Sequence, residues 1–469
     1  MHDMKKNIRR IFWLYFVMFL VVVVYLGNLI LIESATMINS TFNPRLNRNN
    51  FTIKRGYIFD AHGNILAESV RSGDIYSRVY PYGNDFAHTV GFIGITKSGV
   101  EARHNFTLDN LDFEIIQRIR REFIDGSSLQ GDNIHLTIEQ PMQSLAAESL
   151  RGIRGGIAAI EPQTGRIIAM VSSPDFDPNN IGGIWGDLVA DEENSPLLNR
   201  AAQGLYPPGS IFKLITADAI MNHMDNYEDF HVECAGTAHF NGESLRCFDA
   251  RAHGNMNLSD AMKYSCNIFF AAAIIEIGYD KLMESAERMG FNTPHPFDLE
   301  FVISRFNMDE NADIGEIMQT SIGQGRTLVT PLHMALVTAA VANDGIMMEP
   351  YIVERITSHT GRVKWEYGRR QTLPRPSQIF TSQSNADKIK EMMVEVVAGG
   401  TGTAARVAGI TVAGKTGTAE NPAGDAHGWF IAFAPAENPK IALAVLTENT
   451  GGTRRALEIA RNMLEAYFE

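Results

Sequence analysis

Ser210 and Lys213 stand three residues apart, the spacing that puts a hydroxyl and an amine on one face of a helix. A serine beside an amine able to take its proton is a nucleophile for acyl transfer through a serine ester. Two further short motifs follow in order: Ser265-Cys-Asn267 and Lys415-Thr-Gly-Thr418. The first pair has a telling context. Tyr206-Pro-Pro-Gly209 leads directly into Ser210, and Ile211–Ile220 reads as a helix. Ser210 is therefore predicted at a helix N-terminus, where the backbone adds positive potential to a developing negative charge. Ser265-Cys-Asn267 precedes an apolar helical stretch, Ile268–Ile277. It reads either as a helix cap or as a relay, with Ser265 passing a proton between Lys213 and a leaving amine and Asn267 holding a substrate amide.

Gly409-Ile-Thr-Val-Ala-Gly-Lys415-Thr416 matches the phosphate-loop pattern literally. Such a loop needs flexible residues and a following helix. Ile-Thr-Val-Ala is strand material, and Gly417-Thr-Ala-Glu-Asn-Pro-Ala-Gly424 is a poor helix start. The better expectation is an edge strand carrying Lys415 and Thr416, with Gly417 and Thr418 presenting backbone to a substrate. Lys97-Ser-Gly99 imitates this motif but precedes the nucleophile, in a different module.

The chain has three cysteines: Cys234, Cys247 and Cys266. Cys234 and Cys247 are close enough to pair in an oxidising compartment. His231, Cys234, His239 and Cys247 form a cluster whose spacing matches no standard zinc finger, so no metal is predicted. Cys266 reads as a small packed residue.

These motifs must be carried by a framework spread along the chain. Gln140–Leu150 is predicted as a helix, and 157–160 with 167–171 as a hairpin. Helical patterns dominate from Ser210 to about Asn343. One helix is well marked by Thr330 as N-cap, Pro331 in the first turn, and Asn343-Asp-Gly345 as the stop. Segments 352–358 and 362–367 suggest a second hairpin. Segments 410–418, 429–434 and 441–446 read as strands, and 454–468 as a closing helix. Strands at both ends with helices between imply one sheet assembled from distant sequence and covered by helices, an α+β fold.

With 469 residues the chain is too long for one core. A formal net charge of −13 and the lack of a long basic run disfavour nucleic-acid binding. Ile11–Ile32 carries no charged side chain and spans about 33 Å as a helix, enough to cross a bilayer. Lys5, Lys6, Arg9 and Arg10 precede it, which predicts a cytoplasmic tail (1–10) and an outside location for the remainder. A cleaved signal peptide is the alternative, with small residues at Ser34-Ala35-Thr36, but the apolar run is long for one. Residues 33–139 are expected to form a small β-rich module with a polar linker at 125–132, and 140–469 the domain that holds the three motifs.

The motifs and their surroundings resemble the penicillin-binding proteins, in particular the class B D,D-transpeptidases of peptidoglycan synthesis. Ser-x-x-Lys, Ser-Asp-Asn and Lys-Thr-Gly recur in that family and in class A β-lactamases. Further points of resemblance are Arg55-Gly-Tyr-Ile-Phe-Asp60, Thr164-Gly-Arg-Ile-Ile-Ala-Met170, Ser173-Pro-Asp-Phe-Asp-Pro178, Asn199-Arg-Ala201, Ser321-Ile-Gly-Gln-Gly325 and Trp429-Phe-Ile-Ala-Phe-Ala-Pro435. Ser265-Cys-Asn267 departs from the pattern at its middle position. The resemblance implies a penicillin-binding, serine β-lactamase-like domain, an antiparallel sheet covered by helices plus an all-helical part. A pedestal module and one transmembrane helix would precede it.

The same resemblance implies roles. Ser210 attacks a D-Ala-D-Ala stem peptide, Lys213 takes its proton, Ser265 relays a proton to the departing D-alanine, and Lys415 keeps the local potential positive. Asn267, Thr416, Gly417 and Thr418 bind substrate, and the backbone N–H groups of Ser210 and Thr418 form the oxyanion hole. It implies no cofactor, covalent inhibition by β-lactams, and a SEDS-type glycan polymerase as membrane partner. D,D-carboxypeptidase or endopeptidase activity uses the same residues with water as acceptor. A β-lactamase would need a deacylating Glu-x-x-x-Asn, and none occurs between Ile268 and Gly414. A scaffold would not need the full catalytic set, and a sensor, which would also acylate, would need a cytoplasmic output domain larger than the tail before Ile11.

Overall fold

The structure, a computed structural model, describes residues 2–28, 53–73, 75–109, 130–307, 312–368, 376–422 and 424–469. Positions 29–32 of the apolar run, the small residues at 34–36, and 125–129 of the expected linker lie outside the described residues.

The N-terminal helix runs His2–Asn28. Its Arg9–Leu26 stretch has a mean hydropathy of 1.9, and none of it is buried against the rest of the chain. By length and composition this helix could cross a membrane.

Six strands form the sheet of the first module. Ile58–Phe59 pairs antiparallel with Ile65–Ser72 and parallel with Asn133–Leu136. Ile75–Val79 closes one edge. The other edge is a surprise. Val353–Thr357 pairs with Asn133–Leu136, and Val363–Glu366 pairs with Val353–Thr357. The hairpin foreseen in the second unit thus completes the sheet of the first, so the sheet crosses the 139/140 boundary. Beneath the sheet, Arg55 is held by Glu101 at 2.6 Å and Asp109 at 2.7 Å, and Arg78 by Glu101 at 2.6 Å. Buried charges persist only when paired in this way.

The second unit is built on a five-stranded antiparallel sheet in the order Ala413–Ala419, His427–Ala434, Ile441–Thr447, Gly155–Ile160, Ile167–Ser173. Alternate residues face opposite sides. Ile157, Ala159, Phe430, Ala432, Leu443 and Val445 pack against helices Gln140–Ser149 and Arg454–Phe468. Ala158, Ile160, Ile431, Phe433, Ala442 and Ala444 face the other way, into the core of the helical part. Both faces are covered, which is why these strands read as apolar runs rather than as an alternation. Helix Pro331–Ala342 is buried along its whole length, and the Thr330 hydroxyl accepts from His333 N at 3.1 Å, the cap foreseen in the sequence. The antiparallel sheet, its helical cover and the helical part together make the expected α+β architecture.

One stretch departs from the helical expectation. Residues 232–256 form short β-ribbons, Val232–Cys234 with Gly254–Met256 and Thr237–Phe240 with Glu243–Arg246.

Candidate active site

Pro207-Pro208 forces the chain out of helix, and Gly209 then takes a left-handed turn with φ +55°. A Cβ at Gly209 would stand 2.4 Å from the carbonyl oxygen of Thr418, so only glycine fits. The turn is also pinned by Gly209 N donating to Gly323 O at 2.8 Å. From there the chain enters a 3-10 turn, Gly209–Phe212, and then helix Lys213–His223. Ser210 is half-buried at the start of this element, as the sequence predicts.

The third motif is the edge strand Ala413–Ala419, not a phosphate loop. Gly417 lets this strand press on the nucleophile turn: a Cβ there would meet Ile211 Cγ2 at 2.9 Å and Pro208 O at 3.0 Å. Supporting contacts hold Tyr206 and Pro207 in place. Tyr206 donates its hydroxyl to Glu448 at 2.7 Å, Arg200 pairs with the same carboxylate at 2.7 Å, and Trp429 Nε1 donates to Pro207 O at 2.9 Å.

Ser265 ends helix Leu258–Tyr264 in the left-handed conformation, φ 57° and ψ 42°. This is an uncommon posture for a residue with a Cβ and a mark of a constrained site. It is set between two lysines, both completely buried. Lys213 Nζ donates to Ser265 O at 2.8 Å, to Asn267 Oδ1 at 2.7 Å and to Ser265 Oγ at 3.3 Å. Lys415 Nζ donates to Ser265 Oγ at 3.0 Å and to Thr416 O at 2.9 Å. Burial drives the Lys415 amine well below its ordinary range, and the nearby charge of Lys213 adds to the effect. Burial also lowers Lys213, to about 8, with Cys266 and Cys247 opposing. Two amines sharing one buried hydroxyl favour a neutral form for at least one of them.

The four residues Lys213, Ser265, Asn267 and Lys415 are thus drawn into one hydrogen-bonded network. Asn267 is occupied on both sides, since its Nδ2 donates to Arg246 O at 2.9 Å. Thr416 Oγ1 lies 2.7 Å from Thr401 Oγ1, while Thr418 is half-exposed on the edge strand. The sequence reading gave no role to Thr401, to Gln324, which donates to Thr418 O at 3.3 Å, or to Phe270, whose ring lies 5.3 Å from Lys213 Nζ. Gln324 had a signal, the Gly-Gln-Gly turn; Thr401 and Phe270 had none.

The fold brings the three cysteines together. Cys234 and Cys247, whose pairing the sequence leaves open, are free thiols with sulfurs 3.7 Å apart. His231 binds Asp229 O and, with His239, stands outside the group of donors that the fold gathers. That group is Cys234, Cys247, His253 and Cys266. Cys266 is fully buried, as a small packed residue would be, with its sulfur 3.8 Å from that of Cys247.

Comparison with known proteins gives matches along most of the chain. Residues 155–466 match the penicillin binding protein transpeptidase domain, and residues 55–134 match the penicillin binding protein A dimerisation domain. The chain is 32% identical over 437 residues to the peptidoglycan D,D-transpeptidase PbpA of Mycolicibacterium smegmatis, covering 87% of each chain. It is 28% identical to the peptidoglycan D,D-transpeptidase MrdA of Acinetobacter baumannii, covering 84% of this chain and 66% of the relative. Among solved structures it resembles penicillin-binding protein A from M. tuberculosis in its imipenem acyl-enzyme complex, with a TM-score of 0.82 at 30% identity, covering 89% of this chain and 100% of that one. It is also similar to the D,D-transpeptidase domain of a peptidoglycan glycosyltransferase from Eggerthella lenta, with a TM-score of 0.80 at 30% identity, covering 89% and 98%.

Proposed function

The chain belongs to the penicillin-binding protein transpeptidase family, and from that membership we propose how its residues divide the work of a peptidoglycan D,D-transpeptidase that β-lactams inhibit. Ser210 Oγ attacks the carbonyl carbon of the penultimate D-alanine of a stem peptide. Its proton passes to neutral Lys213. The backbone N–H groups of Ser210 and Thr418 take the oxyanion, each worth about 3–4 kcal/mol to the transition state. As the C–N bond breaks, Ser265 hands a proton to the departing D-alanine amine, resupplied from the lysine side. The amine of a neighbouring stem peptide then attacks the Ser210 ester, its proton passing through Ser265 and Lys213 to Ser210 Oγ as the ester C–O bond breaks, which forms the crosslink and frees Ser210. Lys415 keeps the Ser265 hydroxyl oriented. Thr416, Gly417 and Thr418 receive the substrate along the free edge of their strand, with Thr416 exchanging Thr401 for the terminal carboxylate. Asn267 orients Lys213, and it reaches a substrate amide only by releasing a present partner.

The observation that carries this reading is the Ser265 hydroxyl set between two fully buried amines, 3.3 Å from Lys213 and 3.0 Å from Lys415. Fluorescent penicillin should label the full-length protein and leave Ser210→Ala unlabelled. Incubation with a stem-peptide donor and an amine acceptor should yield the crosslinked dimer. Labelling of Ser210→Ala would refute the nucleophile, and a product consisting only of trimmed peptide would identify a carboxypeptidase.

We assign residues 1–10 to the cytoplasm, the helix beginning at Ile11 to the membrane, 33–139 to an extracytoplasmic pedestal and 140–469 to the catalytic unit, joined by the shared sheet. Support comes from the basic residues before the apolar helix and from its full exposure. A SEDS-type glycan polymerase would contact this helix and the pedestal. Labelling of single cysteines introduced at position 3 and at the exposed position 62 with a membrane-impermeant maleimide tests the orientation, and reaction at position 3 in intact cells would reverse it.

A further inference from the structure

We propose that Glu448 is a positioning residue for the nucleophile: through the Tyr206 hydroxyl it fixes where the N–H and Oγ of Ser210 point. The proposal rests on the acyl-serine reading above and adds a residue that lies outside all three motifs.

Glu448 directly follows strand Ile441–Thr447, which His427–Ala434 separates from the edge strand of Lys415. Its side chain is 9% exposed, and three donors converge on its carboxylate. Tyr206 Oη donates to Oε1 at 2.7 Å, Arg200 Nε donates to the same oxygen at 2.7 Å, and Arg154 Nε stands 3.3 Å from Oε2. The backbone is fixed as well, since Glu448 N donates to Arg154 O at 2.7 Å. Arg200 is buried, and its other two nitrogens donate to Ser195 O at 3.0 Å and Asn194 O at 2.6 Å. One side of the carboxylate is therefore clamped by a guanidinium with every nitrogen engaged. Of the three donors, Tyr206 alone belongs to the segment that leads into Ser210.

A buried carboxylate between two arginines is by itself an ordinary structural ion pair. The phenol is what such a pair does not require. Burial and the charge of Glu448 both hold the Tyr206 hydroxyl protonated, so it is a permanent donor. Its ring is seated between others, edge-on to His427 and Trp429 with centroids 5.7 and 6.4 Å away. A Cβ at Gly204 would come within 2.6 Å of the hydroxyl oxygen, so this glycine makes room for the phenol.

A stiff link carries the position of Tyr206 to Ser210. The Tyr206 backbone is bonded both ways to Val329, its N donating at 2.9 Å and its O accepting at 2.8 Å. Pro207 and Pro208 have φ fixed by their rings, and Tyr206 and Pro207, each preceding a proline, are restricted in turn. Pro207 O accepts from Trp429 Nε1 at 2.9 Å, and Gly209 N donates to Gly323 O at 2.8 Å. Ser210 follows in the first turn, where N–H groups have no acceptor within the helix and are left for a substrate oxygen. Breaking the Tyr206–Glu448 bond frees the near end of this link. The N–H and Oγ of Ser210 then drift by a fraction of an ångström, which a transition state registers far more than folding does. Glu448 and Tyr206 are 242 residues apart in the chain, so no local motif announces the pair.

The test uses the full-length protein in detergent. Tyr206→Phe removes one hydroxyl and leaves Glu448 paired with both arginines. Its acylation rate constant with penicillin should fall roughly 10–100-fold. The dissociation constant of the preceding noncovalent complex and the Tm should stay close to wild type. Glu448→Gln should do the opposite. Its amide oxygen still accepts from Tyr206, so acylation is largely kept, while two guanidiniums lose their counter-charge and the Tm drops. Glu448→Ala should show both losses. A second readout reports on the oxyanion donor itself, using an ester substrate and its thiono analogue with sulfur in place of the carbonyl oxygen. Wild-type protein should be acylated faster by the oxo ester, since N–H groups favour oxygen over sulfur. That preference should shrink in Tyr206→Phe and persist in Glu448→Gln. Tyr206→Phe acylating at the wild-type rate, or losing rate equally toward both esters, would overturn the proposal and leave the cluster a packing feature. If Glu448→Ala fails to fold, Tyr206→Phe and Glu448→Gln decide it. Penicillin labelling of Ser210→Ala would instead refute the nucleophile, and the assignment of Glu448 with it.

Discussion

Lys213 offers three N–H donors as an ammonium and has three acceptors in reach, at 2.7, 2.8 and 3.3 Å. A neutral amine has two donors and a lone pair. The shorter bonds, to Asn267 Oδ1 and Ser265 O, can stay while the long one to Ser265 Oγ is released, and the lone pair becomes available to the Ser210 proton. Burial has brought this amine to about 8, so the neutral form is within reach of physiological pH. The sign follows directly. Below about 8 the amine is protonated and cannot act as base; above it the base is present. Acylation by penicillin should therefore rise with pH and level off beyond about 8. Lys213→Ala should lose roughly 10²–10⁴-fold in acylation rate and lose this limb as well. Stopped-flow acylation across pH measures both, and an unchanged limb in Lys213→Ala would assign the base elsewhere.

Among the elements, the contact between the nucleophile turn and the edge strand is the most exacting. Gly209→Ala combines a left-handed backbone, costing roughly 1–2 kcal/mol for an L-residue, with a Cβ 2.4 Å from the Thr418 carbonyl oxygen. The strand must retreat, and Thr418 would move away from Ser210. The expected outcome is a lower melting temperature together with an acylation loss larger than the stability loss explains. A variant that melts lower yet acylates at the wild-type rate would show that the close approach serves packing alone. Much of this framework is legible in the residues. Thr330, Pro331 and Gly345 bracket the buried helix because caps are local chemistry. The strands around Lys415, Trp429 and Leu443 are visible as apolar runs because both faces of their sheet are covered. The ribbon at 232–256 was not visible. Its strands are three or four residues long, below the length at which periodicity speaks. Nor does the 353–366 hairpin announce its partner, since pairing with Asn133–Leu136 is set by tertiary contact rather than by either segment. Of the site, Ser210, Lys213, Ser265 and Lys415 were legible from spacing and flanks, whereas the His253 and Cys266 cluster depends on the unseen ribbon.

At the scale of the whole molecule, buried ionisable groups set the response to acid. His333 is completely buried, donates from Nε2 to Met289 O at 2.9 Å, and lies tilted beside the His295 ring, centroids 5.2 Å apart. Burial holds it down to about 3, with the charge of His295 adding to the effect. In the unfolded chain a histidine binds its proton near 6.5. Between about 3 and about 6.5 the unfolded state therefore carries more protons than the folded one, and stability falls as pH falls through that window. In the first module, Glu101 works in the same direction but lower. Burial opposes its charge, yet Arg78 and Arg55 outweigh that and hold its carboxyl below the usual range. Its contribution is complete above the ordinary carboxylate pKa and is lost as pH drops through the lowered one. The two groups lie on opposite sides of the 139/140 boundary, and the sheet through Asn133–Leu136 and Val353–Thr357 ties those sides together. Denaturant titrations should thus show stability declining from about pH 6.5 downward, by a few kcal/mol, before carboxylates of ordinary pKa titrate. Replacing His333 with glutamine, which keeps a hydrogen-bond donor for Met289 O without a titrating ring, should reduce that upper limb, which it shares with His88, His104 and His135, each lowered by burial to about 4, and leave the lower one. An upper limb of undiminished slope in His333→Gln would assign the acid sensitivity to other groups.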